Sequence, residues 1–305
     1  MTLRFAFRPC LALVAAVVLS ASLLSGCKQS SGTQASAQPV QAALPGASSA
    51  AAATVAPPEA TKPHHHVEGT IAPAAQVQVP ILMYHHVQDP PASADQLEKD
   101  LTVSAGHFEE QLAHIEKLGC NTVTLEQVHA FFTEKRPLPA KPICLTFDDG
   151  YLDNYTVAFP ALKRHGMTGT FFITTAVVGD GHHVTWENLR DMHAEGMEIG
   201  SHTVHHFELT GLSDWKLREE LVDSRKKLNA EVGGVAFLCY PSGRKNEKVI
   251  AEASKAGYAG AVTTDHGTVE RMGQGFLMPR LRVHGGWGGQ GLATSLASAA
   301  GSDYK

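Results

Sequence analysis

The chain has 305 residues, 43% apolar, 18% charged and 7% aromatic, with a formal charge of −5. That length allows one large domain or two small ones, and the acidic balance excludes a nucleic-acid binder, which needs a basic stripe to neutralise phosphates. Residues 1–78 carry a net +2 and residues 79–305 a net −7, so a single globular domain is expected to follow a non-globular leader.

The leader reads as an export address. Arg4 and Arg8 precede an uncharged apolar run, Leu11 to Leu24, too short for a membrane span but suited to the core of a signal peptide. It ends Leu24-Ser25-Gly26-Cys27, which resembles a bacterial lipobox. Residues 1–27 are therefore expected to be a lipoprotein signal peptide, with Cys27 as the lipidation site. Lys28, rather than an aspartate, favours the outer membrane by analogy with bacterial sorting, so the expected location is the cell envelope. Residues 28–78 are rich in Ala, Ser and Pro and have no apolar periodicity. Such a segment cannot bury enough surface to offset chain entropy, and a disordered tether is expected. His64-His65-His66 reads as a polar patch within it.

From residue 79 short apolar runs alternate with helical patterns. Strands are predicted at 79–84, 142–147, 168–174, 197–201, 235–240, 258–264 and 280–283. Helices are predicted at 107–118, at 214–231 with Ser213 as N-cap, and at 247–256, ending at Gly257. Strands alternating with helices signal βα units and a parallel sheet. About seven strands suggest an irregular (β/α) barrel, with functional side chains at the carboxyl ends of its strands. Cys120, Cys144 and Cys239 are an odd set, and the latter two lie in apolar runs where thiols pack as small hydrophobes. No disulfide framework is indicated.

Two strand ends carry chemistry. The run 142–147 leads into Asp148-Asp149-Gly150, whose paired carboxylates need a nearby cation or a raised pKa. The run 197–201 leads into His202-Thr203-Val204-His205-His206. One carboxylate and two imidazoles suit Zn²⁺ or a similar divalent ion, with Co²⁺ and Ni²⁺ as alternatives. Asp149, His202 and His206 are the natural ligands, which leaves Asp148 as a general base. No His-Glu-x-x-His sequence is present, which disfavours a zincin protease.

Thr146-Phe147-Asp148-Asp149-Gly150 and His202-Thr203-x-x-His206 resemble, in order and spacing, the first two signatures of the polysaccharide deacetylases with a NodB-homology domain, carbohydrate esterase family 4. The resemblance covers 79–305, most strongly 141–266. It implies an α/β fold, a distorted NodB-like (β/α)7 barrel, with a metal on Asp149, His202 and His206 and Asp148 as base. The family's third signature includes an arginine before a proline, whereas Cys239-Tyr240-Pro241 has none. Arg280 is the candidate to hold Asp148 instead. Pro80-Ile81-Leu82-Met83-Tyr84-His85-His86 resembles the opening of the circularly permuted deacetylases that act on poly-N-acetylglucosamine. That match implies His85 as the catalytic acid, with His284 as runner-up.

The chemistry agrees with the resemblance. Amide hydrolysis needs a polarised carbonyl, a base for the attacking water, oxyanion donors and an acid for the departing amine. The Tyr240 backbone N–H is a candidate oxyanion donor, and a histidine is a suitable acid. The expected partner is an acetylated amino-sugar polysaccharide, with membrane contact only through the lipid anchor. Rival readings are an O-acetyl esterase, a non-catalytic carbohydrate-binding protein, and a metal-binding envelope lipoprotein suggested by the 17 histidines. Trp186, Trp215 and Trp287 are expected to pack rather than touch sugar. Gly285-Gly286-Trp287-Gly288-Gly289 reads as a flexible rim, and His182 and His183 as surface residues.

Overall fold

A computed structural model describes residues 69–304. The leader, Cys27 and His64–His66 lie outside the described residues. Seven parallel strands form a closed barrel in chain order: β1 (Ile81–Tyr84), β2 (Pro142–Phe147), β3 (Thr170–Ile173), β4 (Glu198–Ser201), β5 (Phe237–Cys239), β6 (Gly260–His266) and β7 (Met278–Arg282). The ring closes because β1 pairs with both β2 and β7. Each predicted strand is present within a few residues of its expected bounds. Between β6 and β7 the register shifts, which makes the ring irregular.

Both faces of these strands are buried, which is why their sequences read as apolar runs rather than as alternating polar and apolar residues. The two faces still feed different cores. Ile81, Cys144, Phe172, Phe237, Cys239, Val262 and Met278 form one buried cluster, to which Val128 and Phe131 also belong. Leu82, Leu145 and Phe171, one residue along, pack into the layer that includes Phe108, Leu112 and Ile115. Leu238 and Ala261 pack with Leu217, Leu221 and Val249. The two-residue period of a strand thus sorts each run into an inner and an outer set.

The outer helices begin at recognisable caps. Ser104 accepts from His107 N at the start of α1 (Ala105–Lys117), and Thr124 forms a capping box at α2 (Leu125–Thr133). Thr185 does the same at α3 (Trp186–Ala194), and Ser213 caps α4 (Asp214–Glu231) as predicted. Asn246 caps α5 (Glu247–Lys255). Such caps each contribute about 1 kcal/mol. A further helix, α6 (Gly289–Ala300), completes the set used below. Helix α2 lies at the lower end of the barrel, the end where strands begin. Its first two N–H groups donate to the carboxylate of Glu198, the first residue of β4, at 2.9 Å each, and Thr170 Oγ1 donates to the same carboxylate at 2.6 Å.

Two expectations need correction. The folded region starts before residue 79: Thr70–Ile71 pairs antiparallel with Leu138–Pro139, and Gln76–Gln78 with Val269–Arg271. The last residues assigned to the tether are therefore part of the domain, secured by backbone pairing and by Val77 and Ile71, which pack on the inner core cluster. The glycine run at 285–289 is a tight joint rather than a loose rim. A Cβ at Gly285 would lie 2.0 Å from the Lys99 carbonyl oxygen, so only glycine admits this contact. Cys120, Cys144 and Cys239 are buried free thiols, as expected.

Candidate active site

The inner parity of the barrel strands carries into their upper ends. Ile81 and Cys144 point inward, and continuing in steps of two brings His85 from β1 and Thr146 and Asp148 from β2. The same parity brings Arg280 from β7, two residues after the inward Met278. These side chains meet above the apolar core.

Asp148 is 2% exposed and Arg280 1%. The guanidinium grips the carboxylate through two parallel bonds, Nη1 to Oδ1 and Nη2 to Oδ2, both 2.8 Å. Arg280 also donates to the Thr263 carbonyl at 2.8 Å and to Thr146 Oγ1 at 3.0 Å. The Cys239 thiol lies 3.4 Å from Asp148 Oδ2 and 3.2 Å from Arg280 Nη2. Burial pushes the Asp148 carboxyl up, but the Arg280 charge and its hydrogen bonds outweigh that and bring it down to about 2. The sequence-based assignment of Arg280 as the group that holds Asp148 agrees with this geometry, and it accounts for the absence of arginine at Cys239-Tyr240-Pro241.

Asp149 turns away from its neighbour. Its backbone is left-handed (φ 74°), as is that of Gly150 (φ 78°). The two adjacent carboxylates therefore serve different neighbourhoods. Asp149 Oδ1 lies 3.3 Å from His202 Nε2 and 3.5 Å from His206 Nε2. His202 is buried, and its Nδ1 is 2.8 Å from the Cys239 carbonyl oxygen, which fixes the ring with Nε2 toward Asp149. His206 is reached through a strained turn, with Thr203 at φ 67° and His206 itself at φ 59°. Non-glycine residues held in this region cost on the order of 1–3 kcal/mol each and cluster where function requires them. One ligand atom from each of Asp149, His202 and His206 lies within 4.8 Å of the others. Burial works against the charged Asp149, but the hydrogen bond and charge of His202 prevail and hold it well below the usual carboxylate range.

His85 Nε2 lies 4.0 Å from Asp148 Oδ2. Burial lowers its pKa, and the charges of Asp148 and Asp149 only partly restore it. His284 instead packs its ring against Trp287, centroids 4.8 Å apart. Tyr240 does not fit the oxyanion expectation: its N–H donates to the Val262 carbonyl at 3.3 Å, a bond of the sheet ladder. Its position at a strand end was a poor guide because the neighbouring strand continues past it.

Sequence reasoning missed several residues around this centre. His183, expected at the surface, is held by Asp180 at 3.0 Å and lines a hollow with Asp149, Tyr151, His205 and His206. Tyr151 stacks on His86, centroids 3.5 Å apart, and His86 Nδ1 lies 2.6 Å from Asp153 Oδ2. His205 Nδ1 is 2.7 Å from the buried Glu220. The available signal was the Tyr151-x-Asp153 continuation of the Asp-Asp-Gly turn. Trp215 is 71% exposed, so it does not pack as expected, whereas Trp186 and Trp287 lie against the core.

Comparison with known proteins agrees with this arrangement. The polysaccharide deacetylase family matches residues 135–261, which include both the Asp-Asp and the His-x-x-x-His segments. A putative polysaccharide deacetylase of Bacillus subtilis (strain 168), YxkH, is 33% identical over 222 residues, 72% of this chain and 77% of that protein. The poly-beta-1,6-N-acetyl-D-glucosamine N-deacetylase of Staphylococcus aureus (strain MSSA476) is 23% identical over 200 residues, 61% of this chain and 69% of that one. Among solved structures, the Streptococcus pyogenes deacetylase PplD in complex with acetate superimposes with a TM-score of 0.65 at 28% identity. That match covers 72% of this chain and 98% of that one. With a closed seven-stranded barrel, both signature segments at its upper end and a relative matched over most of its length, this chain belongs to the polysaccharide deacetylase family, in its NodB-type branch, and is a deacetylase.

Proposed function

We propose that this protein removes N-acetyl groups from a polymer of N-acetylglucosamine at the bacterial cell envelope, in a metal-dependent reaction. The observation that carries the reading is the convergence of the Asp149, His202 and His206 donors beside a base locked in place by Arg280. One carboxylate oxygen and two imidazole nitrogens are the donor set of open divalent sites, and Zn²⁺ fits it best, with Co²⁺ or Ni²⁺ as substitutes. A divalent ion held there would polarise the acetyl carbonyl and acidify water.

The protein's own groups supply the proton traffic. Asp148 is ionised throughout the physiological range and takes the proton from the attacking water. His85, neutral at rest through burial and 4.0 Å from Asp148, receives that proton and gives it to the departing nitrogen. Water is consumed, the C–N bond breaks, and the products are acetate and a free amine on the sugar. The choice of substrate is supported by the activity for which the staphylococcal relative is named and by the Tyr84-His85-His86 opening. The envelope location is supported by the Leu24-Ser25-Gly26-Cys27 run, with Cys27 as the lipid attachment. Cys27→Ser should shift the protein out of the membrane fraction, and unchanged fractionation would count against the anchor.

Acetate release measured on poly-N-acetylglucosamine, chitin oligomers, peptidoglycan and acetylxylan tests the substrate assignment, which predicts the first as the best substrate. Acetylxylan as the best substrate would favour an O-acetyl esterase. Exhaustive chelation should abolish turnover and added Zn²⁺ restore it. Undiminished activity without metal would overturn the metal assignment.

A further inference from the structure

The lower end of the barrel holds a second concave site, independent of the deacetylase centre. A cavity of about 230 Å³ lies beside the closing helix α2. Val128 and Phe132 of that helix face Ala259, Phe276 and Met278 across it, and Glu270 completes the wall. For scale, an apolar cavity of about 150 Å³ is enough to hold benzene.

Glu270 sets this hollow apart from an ordinary packing defect. It sits in the short strand Val269–Arg271, opposite Val77, and is 2% exposed. Its Oε1 is sealed from solvent and has no hydrogen-bond partner. Arg271 also lines the hollow, but its exposed guanidinium donates to the Val269 carbonyl at 3.3 Å and acts on Glu270 only through its charge, which does not offset burial. The remaining polar ring of the lining, His129, stands edge-on to Phe237. Leaving a buried acceptor unsatisfied costs about 1–3 kcal/mol, and native proteins rarely tolerate it without a use.

We propose that this cavity binds a small apolar amine, its hydrocarbon body against Val128, Phe132, Phe276 and Met278 and its ammonium group on the carboxylate of Glu270. The apolar walls select the body, and the single acidic group among them selects the head. A cation supplies the donor that Oε1 lacks and the countercharge that an ionised buried carboxylate requires. An alcohol would supply only the donor, and a carboxylate neither.

Benzylamine is the probe, titrated calorimetrically into the full chain, with benzyl alcohol and benzoate as isosteric controls. Its eight heavy atoms at ordinary efficiency predict a Kd near or below about 1 mM. The alcohol should bind at least about tenfold more weakly, the difference expected between a charge-assisted and a neutral hydrogen bond. Benzoate should not bind. Glu270→Gln keeps the shape and removes the charge, and should cost at least about tenfold. Ala259→Leu, at a half-buried position of the lining, should block binding by occupying the space while leaving deacetylation unchanged. Circular dichroism confirms that each variant is folded. Absence of benzylamine binding at about 10 mM, far above that Kd, would overturn the proposal. So would equal binding of amine and alcohol, or undiminished binding to both variants.

Discussion

At the upper end of the barrel, Asp148 is buried and held by two 2.8 Å bonds from a buried arginine, and its carboxyl falls to about 2. At the lower end, Glu270 is buried just as completely with Oε1 unpartnered, and burial drives its carboxyl up to about 8. Glu198, also at the lower end, is intermediate. Burial raises it, and the Thr170 hydroxyl and the first two N–H groups of α2 only partly restore it. Burial acts in the same direction on all three, so the compensating group decides the outcome. A full opposing charge reverses desolvation, whereas neutral donors at a helix start only moderate it. The proposed base is at the end where the charge is compensated, as it must be, because a base has to be ionised to accept a proton.

The strongest way to break the comparison is to remove the charge at the compensated end. Asp148→Asn should keep the Asp149, His202 and His206 donors, and metal content should be unchanged. Deacetylation should fall by roughly 10²–10⁴-fold, the loss typical of a general base. Residual activity near wild type would move the base elsewhere.

The proton donor comes next. His85→Ala should retain metal and lose activity on N-acetyl substrates, yet lose much less on activated acetyl esters, whose leaving groups depart without a proton. The geometry favours His85, 4.0 Å from Asp148, over His284, which lies against Trp287. An amide-selective defect in His284→Ala and not in His85→Ala would reverse the assignment.

Removing the countercharge instead of the base sharpens the contrast further. Arg280→Met leaves Asp148 buried without its partner, in effect converting the upper site to the lower kind. Breaking a buried pair in this way costs about 3–5 kcal/mol, read as a lowered denaturant midpoint at constant m-value. Activity should drop as well, and Arg280→Lys should recover part of the stability but little of the bidentate geometry. A stability equal to wild type would show that the Arg280 charge is not what offsets the burial of Asp148.

Much of the upper end was legible in the sequence. Most of the seven strands centre on short apolar runs, and the Asp-Asp-Gly and His-x-x-x-His segments follow two of them directly. Arg280 could be picked as the holder of Asp148 because the segment Cys239-Tyr240-Pro241 lacks the arginine that the family's third signature includes. What stayed hidden depends on long-range packing. Tyr240 offered no sign that β6 runs past it and claims its N–H. The pairing of Thr70–Ile71 and Gln76–Gln78 is invisible in an Ala- and Pro-rich stretch because its partners, Leu138–Pro139 and Val269–Arg271, lie far along the chain. Glu270, in Val269-Glu270-Arg271, looks like an ordinary surface strand residue. Its burial comes from long-range packing, including the pairing of its strand with Gln76–Gln78.

Glu270→Gln gives the smallest effect and tests the uncompensated end directly, through the pH dependence of stability. With its pKa raised by burial to about 8 in the folded state, from 4.5 for a solvated glutamate, the folded protein holds a proton here that the unfolded chain has already released. The contribution of Glu270 to stability is therefore fully present below pH 4.5. It is lost progressively as pH rises towards 8. Glutamine keeps the shape and cannot ionise. The variant and the wild type should have similar midpoints near pH 4.5, and the variant should become the more stable of the two as pH rises. The gain at pH 8 should be on the order of 2–4 kcal/mol. Urea midpoints across that range read the difference. Parallel curves for the two proteins would mean that Glu270 already has a partner at the foot of the barrel, and benzylamine, if bound, should narrow the gap by ionising the acid.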